Sequence, residues 1–276
     1  DSSTSRGLGD VYKRQVQPYS HDEQLRLTNA AKKEISDIIG RLALGKTLLA
    51  EGQDPRLVGH LKQPWNKKSI FTTGWNSKAN NLWYLVHILK GQFPSHSVTR
   101  NCLLTRYLQN RKVDSENCTF NSPSELISHL YPSYKDLVPF VILLSIKSGL
   151  NAEALLTLTR DCLLGEEGGK TIVEFKKHRG SHDQMQIPFS NRGSTSPISL
   201  IKLVLKMTES LVPFASDDEK NSLWLAIRKA GPGWPYLGQT AALTYDATMY
   251  FANGLKQGPL TLSLIHISEP TRRRGI

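Results

Sequence analysis

A cluster of basic side chains lies between two apolar segments in the second half of the chain. This basic cluster, within the sequence KKHRGSHD, consists of Lys176, Lys177, His178, Arg179 and His182. Ammonium and guanidinium groups are common phosphate ligands, lysine as a point charge and arginine through a planar fork. The chemistry that these residue types suggest is therefore the binding of a phosphate or a phosphodiester.

The segments on either side of the basic cluster indicate the element that carries it. Residues 171–175 and 185–189 both alternate apolar side chains with others, which is typical of β-strands. Gly180 lies between them. We predict a two-stranded hairpin with the basic cluster at its tip, where a lysine could reach a groove or a phosphate. A solvent-facing turn that only keeps a sheet edge soluble is the alternative.

A sharp turn between two helices precedes the hairpin. The apolar run Val138–Ile146 predicts a buried helix, with Asp136 as its N-cap and Pro139 in its first turn. Ser148 and Gly149 end this helix, and a second helix begins near Asn151. Further helices are predicted over residues 20–50, 80–90 and 98–112. The expected fold is mainly α with a small β-hairpin or sheet.

The composition favours a polyanionic partner. The 276 residues carry a formal net charge of +11, which suits double-stranded DNA. Arg106 belongs to a basic face of the helix predicted over 98–112 and could contact phosphates. No apolar run is long enough to span a bilayer, and no signal peptide is visible. The three cysteines (Cys102, Cys118 and Cys162) are widely spaced without a zinc pattern, so we expect reduced thiols in the cytoplasm, no metal and no cofactor.

Both ends of the chain differ in character from its middle. DVYKRQ within residues 1–15 and SLIHISEPTR within residues 263–276 resemble translated sequencing-adapter read-through. Disordered basic tails that hold phosphates are the competing interpretation. The two ends carry net charges of +1 and +2, so the middle still carries +8. If the ends are foreign, the chain is a fragment of a longer protein.

Two segments together resemble the tyrosine recombinases, the phage-integrase family. SGLNAEALLTLTRDCL followed by TIVEFKKHRG is similar to the family segment TGLRxxELLxLxxxDI and the hairpin that follows it. The likeness spans roughly Pro18 to Phe189 and is weak before Asp136. It implies an incomplete catalytic domain over residues 16–262 with a helical insertion at about 52–122. Alternatively, 16–122 is a separate helical DNA-binding domain and 123–262 the catalytic part.

The resemblance also implies a reaction. In this family a tyrosine attacks a DNA phosphodiester and leaves a covalent 3′-phosphotyrosine, while arginines stabilise the charge on the phosphoryl oxygens. A lysine on the hairpin protonates the leaving 5′-oxygen. Lys177 is our first candidate for that lysine and Lys176 the second. A complete parent protein is expected to self-associate on DNA.

The sequence departs from the family pattern at several positions. Asn151 stands where the family has its first arginine, Ala154 where it has a glutamate, and Asp161 lies one position before the family's aspartate. Arg160 is the nearest arginine that could substitute. No His-x-x-Arg box occurs, and neither Tyr245 nor Tyr250 follows one. We therefore expect this chain to bind DNA but to be inactive in strand transfer by itself.

Two other functions are compatible with the same residues. Asp161, Glu174 and Lys176 have a spacing that metal-dependent nucleases use to bind Mg²⁺ and activate water. A helical DNA-binding regulator without catalysis is the third possibility.

Overall fold

The computed structural model describes residues 20–61, 70–91, 102–110, 120–176, 184–227 and 240–242. These residues are mainly helical and include a small three-stranded antiparallel sheet, which confirms the expected balance of helix and strand. No helix within the described ranges combines the length and the apolar character that a membrane crossing requires.

The longest element is helix α1, His21–Glu51. It begins with a capping box, because the Ser20 hydroxyl accepts from the backbone N–H of Glu23 and the Glu23 carboxylate accepts from the backbone N–H of Ser20. Its buried face packs mainly on two later helices, α2 (Lys78–His87) and α5 (Tyr134–Ser148). Gly45 is buried at the point where α1 passes the backbone of His129.

Shorter helices pack against α2. They are a 3₁₀ turn at Thr73–Asn76, helix α3 (Leu103–Asn110) and helix α4 (Pro123–Ser128). The helix predicted over 80–90 is thus present as α2, and the helix predicted over 98–112 is present as α3 within the described residues 102–110. Aromatic rings hold this region together: Trp75 lies 4.9 Å from Tyr84 and 5.6 Å from Tyr107 between ring centroids.

Helix α5 begins earlier than the sequence suggested. Ser133 is its N-cap, and Asp136 is the third helical residue, whose carboxylate accepts from the backbone N–H and the hydroxyl of Ser133 at 2.8 Å. The prediction of Asp136 as N-cap was therefore wrong, and Pro139 lies inside the helix rather than in its first turn. The physical reason is the capping box, which satisfies the free N–H groups one turn earlier.

Beyond α5 the chain forms helix α6 (Ala152–Leu156) and then the sheet. Strands β1 (Leu163–Glu167), β2 (Lys170–Lys176) and β3 (Gln184–Ser190) pair antiparallel in that order. The predicted hairpin is β2–β3, with Val173 opposite Ile187 and Lys176 opposite Gln184. Strand β1 was missed, because Gly165, Glu166 and Glu167 look like loop residues; they are exposed at the edge of the sheet.

The chain continues with helix α7 (Pro197–Thr208), a 3₁₀ turn at Glu209–Phe214, and a small second sheet of β4 (Leu225–Ile227) and β5 (Thr240–Ala242). Ser196 is the N-cap of α7, because its hydroxyl accepts from the backbone N–H of Ser199 at 3.2 Å. It packs on α5 and β3.

The buried apolar residues form two cores. The first core joins the N-terminal half of α1 to α5, α6, β2, α7 and Trp224. The second core contains Trp75 and the buried faces of α2, α3 and α4, together with Leu211, Leu225 and Ile227. Leu48 and Leu49 at the end of α1 pack against this second core, so one helix takes part in both. The division of the chain into domains stays a prediction.

Candidate nucleic-acid interface

The corner between α5 and α6 is held by side-chain hydrogen bonds to the backbone. The Ser145 hydroxyl donates to the Leu150 carbonyl at 2.7 Å, and the Ser148 hydroxyl donates to the Leu144 carbonyl at 2.7 Å. Gly149 adopts φ +71°, a left-handed conformation that glycine reaches without strain. The corner, residues 148–151, is therefore fixed by the sequence Ser-Gly-Leu-Asn itself.

Asn151 has a structural task at this corner. Its Oδ1 accepts from the backbone N–H of Ala154 at 2.8 Å, which makes it the N-cap of α6. Asparagine is among the best N-cap residues, whereas arginine has no acceptor for this bond. Asn151 thus serves the start of α6.

The corner and the hairpin lie close together. The short helix α6 contacts β2, and the Thr157 hydroxyl just beyond α6 donates to the Ala154 carbonyl at 2.8 Å and lies 3.4 Å from the Lys176 carbonyl. A helix of five residues is about 7.5 Å long. The corner therefore lies at one end of α6 and the end of β2 lies near the other, about one and a half helical turns away along the helix.

The side chain of Lys176 is exposed at the end of β2. Thr171, Val173 and Phe175 are buried, and the alternation of a strand places Ile172, Glu174 and Lys176 on the opposite face. The Glu174 carboxylate has a hydrogen bond on this face, because its Oε1 accepts from Nε2 of Gln186 at 3.0 Å. Lys177, His178, Arg179 and His182 lie outside the described residues.

Lys147 is a candidate that the sequence reasoning missed. It is exposed in the last turn of α5, directly before the corner. Its position directly before the Ser-Gly turn could have indicated it in the sequence. The apolar run that precedes it suggested only a helix of the core. We call Lys147, the corner and Lys176 the corner–hairpin surface.

Arg160 is engaged within the protein. Its guanidinium donates to Oγ1 of Thr208 at 2.8 Å and to the Leu205 carbonyl at 3.3 Å, and it forms an ion pair with Glu209. Its side chain is 13% exposed. These partners belong to the C-terminal end of α7, where a cation complements the helix dipole. In this arrangement Arg160 anchors α7 rather than offering a free phosphate ligand.

The two carboxylates of the nuclease alternative, Asp161 and Glu174, each have side-chain hydrogen-bond partners. A hydrogen bond from the Thr159 side chain and a weaker one from Asn221 hold the pKa of the exposed Asp161 carboxyl below its ordinary value. Glu174 is bound by Gln186. Within the described ranges, no group of three or more histidine, cysteine, aspartate or glutamate side chains is arranged to hold a metal ion.

Arg106 is exposed on α3, a helix that belongs to the second core. The corner–hairpin surface is built on the first core, by α5, α6 and β2. Arg106 therefore has the exposure that phosphate binding needs, but on another part of the molecule.

Comparison with known proteins adds no family assignment. No family model, characterised protein or solved structure matches the chain.

Proposed function

We propose that the chain binds double-stranded DNA through the corner–hairpin surface, as a protein of the tyrosine-recombinase type that does not transfer strands by itself. The observation that carries the proposal is that only the short helix α6 separates the corner from the end of β2, where Thr157 meets Lys176. Two exposed lysines flank this arrangement, Lys147 before the corner and Lys176 after it.

Charge supports the same proposal. A net charge of +11 attracts a polyanion, and each lysine that neutralises a phosphate releases condensed counterions. The basic cluster continues from Lys176 in the sequence. At the opposite end of the same strand Glu167 pairs with Lys170, so charges of both signs meet there. DNA would approach at the Lys176 end.

Fluorescence anisotropy of a labelled 30-base-pair duplex at several salt concentrations tests the proposal with the full 276-residue chain. Lys147→Ala and Lys176→Ala are each expected to weaken binding about threefold to tenfold and to lower the salt slope by about one. Lys135→Ala is the matched control, because it removes an exposed lysine from the other end of α5. An equal loss of DNA affinity in all three variants would show that only the net charge matters, and it would contradict the proposal.

A denaturing gel separates the proposed function from its alternatives. We expect no covalent protein–DNA adduct and no cleavage, since the family's arginine position holds Asn151 and the sequence lacks a His-x-x-Arg box. Mg²⁺-dependent cleavage that Glu174→Gln abolishes would instead support the nuclease. Tight binding to one DNA sequence without cleavage, unaffected by Lys147→Ala and Lys176→Ala, would support the regulator.

A further inference from the structure

The C-terminal half of α1 carries an outer face that the described residues leave uncovered. We call this face the outer stripe; its members recur three or four residues apart and are all exposed: Ser36, Ile39, Gly40, Ala43, Leu44 and Thr47. Leu44 is 50% exposed and Ile39 37% exposed. No described atom lies within 4 Å of the position that a Cβ of Gly40 would occupy. Two large apolar side chains thus border an open surface at the helix backbone.

Charged residues at the two ends of the outer stripe complement each other. Lys33 and Glu51 are both exposed and lie 18 residues apart, which is five helical turns, so they point in the same direction. Gly40 and Leu44 lie between them. The midpoint of Gly40 and Leu44 along the helix is residue 42, which is also the midpoint of Lys33 and Glu51. The Lys33 side chain is 78% exposed, although its ammonium group contacts Asp37 at 3.0 Å.

We propose that the outer stripe of α1 docks onto the same stripe of a second copy of this chain, as an antiparallel helix pair. A two-fold axis on the exposed side of α1, at the level of residue 42 along the helix, brings Lys33 to Glu51 of the partner subunit. The same axis brings Leu44 to Gly40 of the partner subunit. Each contact occurs twice, as an isologous interface requires. Gly40 provides the space that a close helix approach needs, at an interaxial distance of about 8 Å.

The self-complementarity of the stripe is what selects a second copy as the occupant. An unrelated partner would not require a positive and a negative group at equal distances from a Leu and Gly pair. The contact between the two lysine–glutamate pairs is about 27 Å long. One helix pair of this length falls in the class of weak interfaces that bury less than about 1,200 Å², so the dimer is concentration-dependent and forms without DNA.

Sedimentation velocity of the full chain without DNA measures this association. The wild-type protein is expected to shift from monomer to dimer between about 10 µM and about 500 µM, the range of a weak contact. Leu44→Glu and Gly40→Arg should each weaken the association at least tenfold. Neither change should affect folding, because both positions face solvent. Leu25→Glu is the matched control: Leu25 is 51% exposed on α1 but lies outside the contact.

Exchange of charges tests the register. Lys33→Glu and Glu51→Lys should each weaken self-association, whereas an equimolar mixture of the two variants should form heterodimers in which both charge pairs are restored. The intrahelical contact of Lys33 with Asp37 cannot produce that recovery. A wild-type chain that stays monomeric at about 500 µM, a mixture without recovery, or equal effects of Leu25→Glu and Leu44→Glu would each overturn the proposal.

Discussion

At the scale of residues, the same side chain types serve different tasks in different surroundings. Asn151 and Arg160 both looked like parts of a phosphate site in the sequence, yet one caps α6 and the other anchors the end of α7. Lys147 and Lys176 have the exposure that a phosphate ligand needs. The difference lies in the partners: a polar group that already has good hydrogen bonds inside the protein gives them up only at a cost.

Cys162 provides a prediction about pH. Burial, and to a lesser extent the neighbouring Asp161 carboxylate, raises the pKa of the Cys162 thiol from 9.0 to about 12. The folded protein therefore keeps this proton at pH values where the unfolded chain loses it. Stability from this group is complete below pH 9 and is lost as the pH rises toward 12, by at most about 1.4 kcal/mol per pH unit.

Urea unfolding at pH 8 and at pH 10 checks the sign. The free energy of unfolding should fall more for the wild-type protein than for Cys162→Ala, which cannot ionise. Other groups titrate equally in both proteins and cancel in the difference. An equal fall in the two proteins would show that the thiol does not contribute.

At the scale of elements, helix α1 sets the arrangement of its neighbours. Its buried face packs on α2 and α5, and Arg41 joins it to α5 through an ion pair of 2.8 Å with Asp136. The Arg41 Nε also donates to the Ser128 carbonyl at the end of α4, at 2.9 Å. Asp136, already part of the capping box, thus connects the start of α5 with the middle of α1. Pairing of this kind makes the buried Asp136 carboxylate tolerable.

Two glycines of α1 should respond oppositely to the same substitution. A Cβ at Gly45 would overlap the carbonyl oxygen of His129 and lie 2.7 Å from its carbonyl carbon, so Gly45→Ala should destabilise the fold by about 1–3 kcal/mol. Gly40→Ala meets no described neighbour and should stabilise α1 by about 0.5–1 kcal/mol. Urea midpoints at low micromolar concentration, where self-association is negligible, measure both. A loss at Gly40 as large as that at Gly45 would contradict this account of the α1 contact.

At the scale of the whole molecule, the two cores share α1. Leu27, Ala31, Ile35 and Ile38 belong to the first core, and Leu48 and Leu49 pack against the second. A parallel bridge between Ser133 and Ile227 adds a further connection, since Ile227 is part of the second core while α5 begins beside Ser133. Loss of either core therefore exposes apolar surface of the other.

We expect the two cores to unfold as one cooperative unit. Hydrogen exchange followed by mass spectrometry should give the same opening free energy for the amides of α2, in the second core, and of α5, in the first. Gly45→Ala should lower both by the same amount, because α1 contributes to both. Opening of α2 at a urea concentration where α5 stays protected would contradict a shared unit.

The sequence by itself determined most of the helices, the β2–β3 hairpin and the chemistry of the side chains, but neither strand β1 nor the N-cap of α5. Alternation in residues 171–175 and 185–189 was sufficient for the β2–β3 hairpin, because this signal is local and period-specific. A large positive charge was also evident without coordinates. The recombinase function stays a proposal.

Only the tertiary structure decided which of these residues lie together and which are already engaged. The sequence could not show that Arg160 reaches the end of α7, 45 to 49 positions away, that Thr157 meets Lys176, or that Gly45 lies against His129. Such contacts depend on how helices and strands pack. The exposed Gly40 and the buried Gly45 are the same residue type, five positions apart on one helix. Their difference arises because packing covers one side of α1 and leaves the other open.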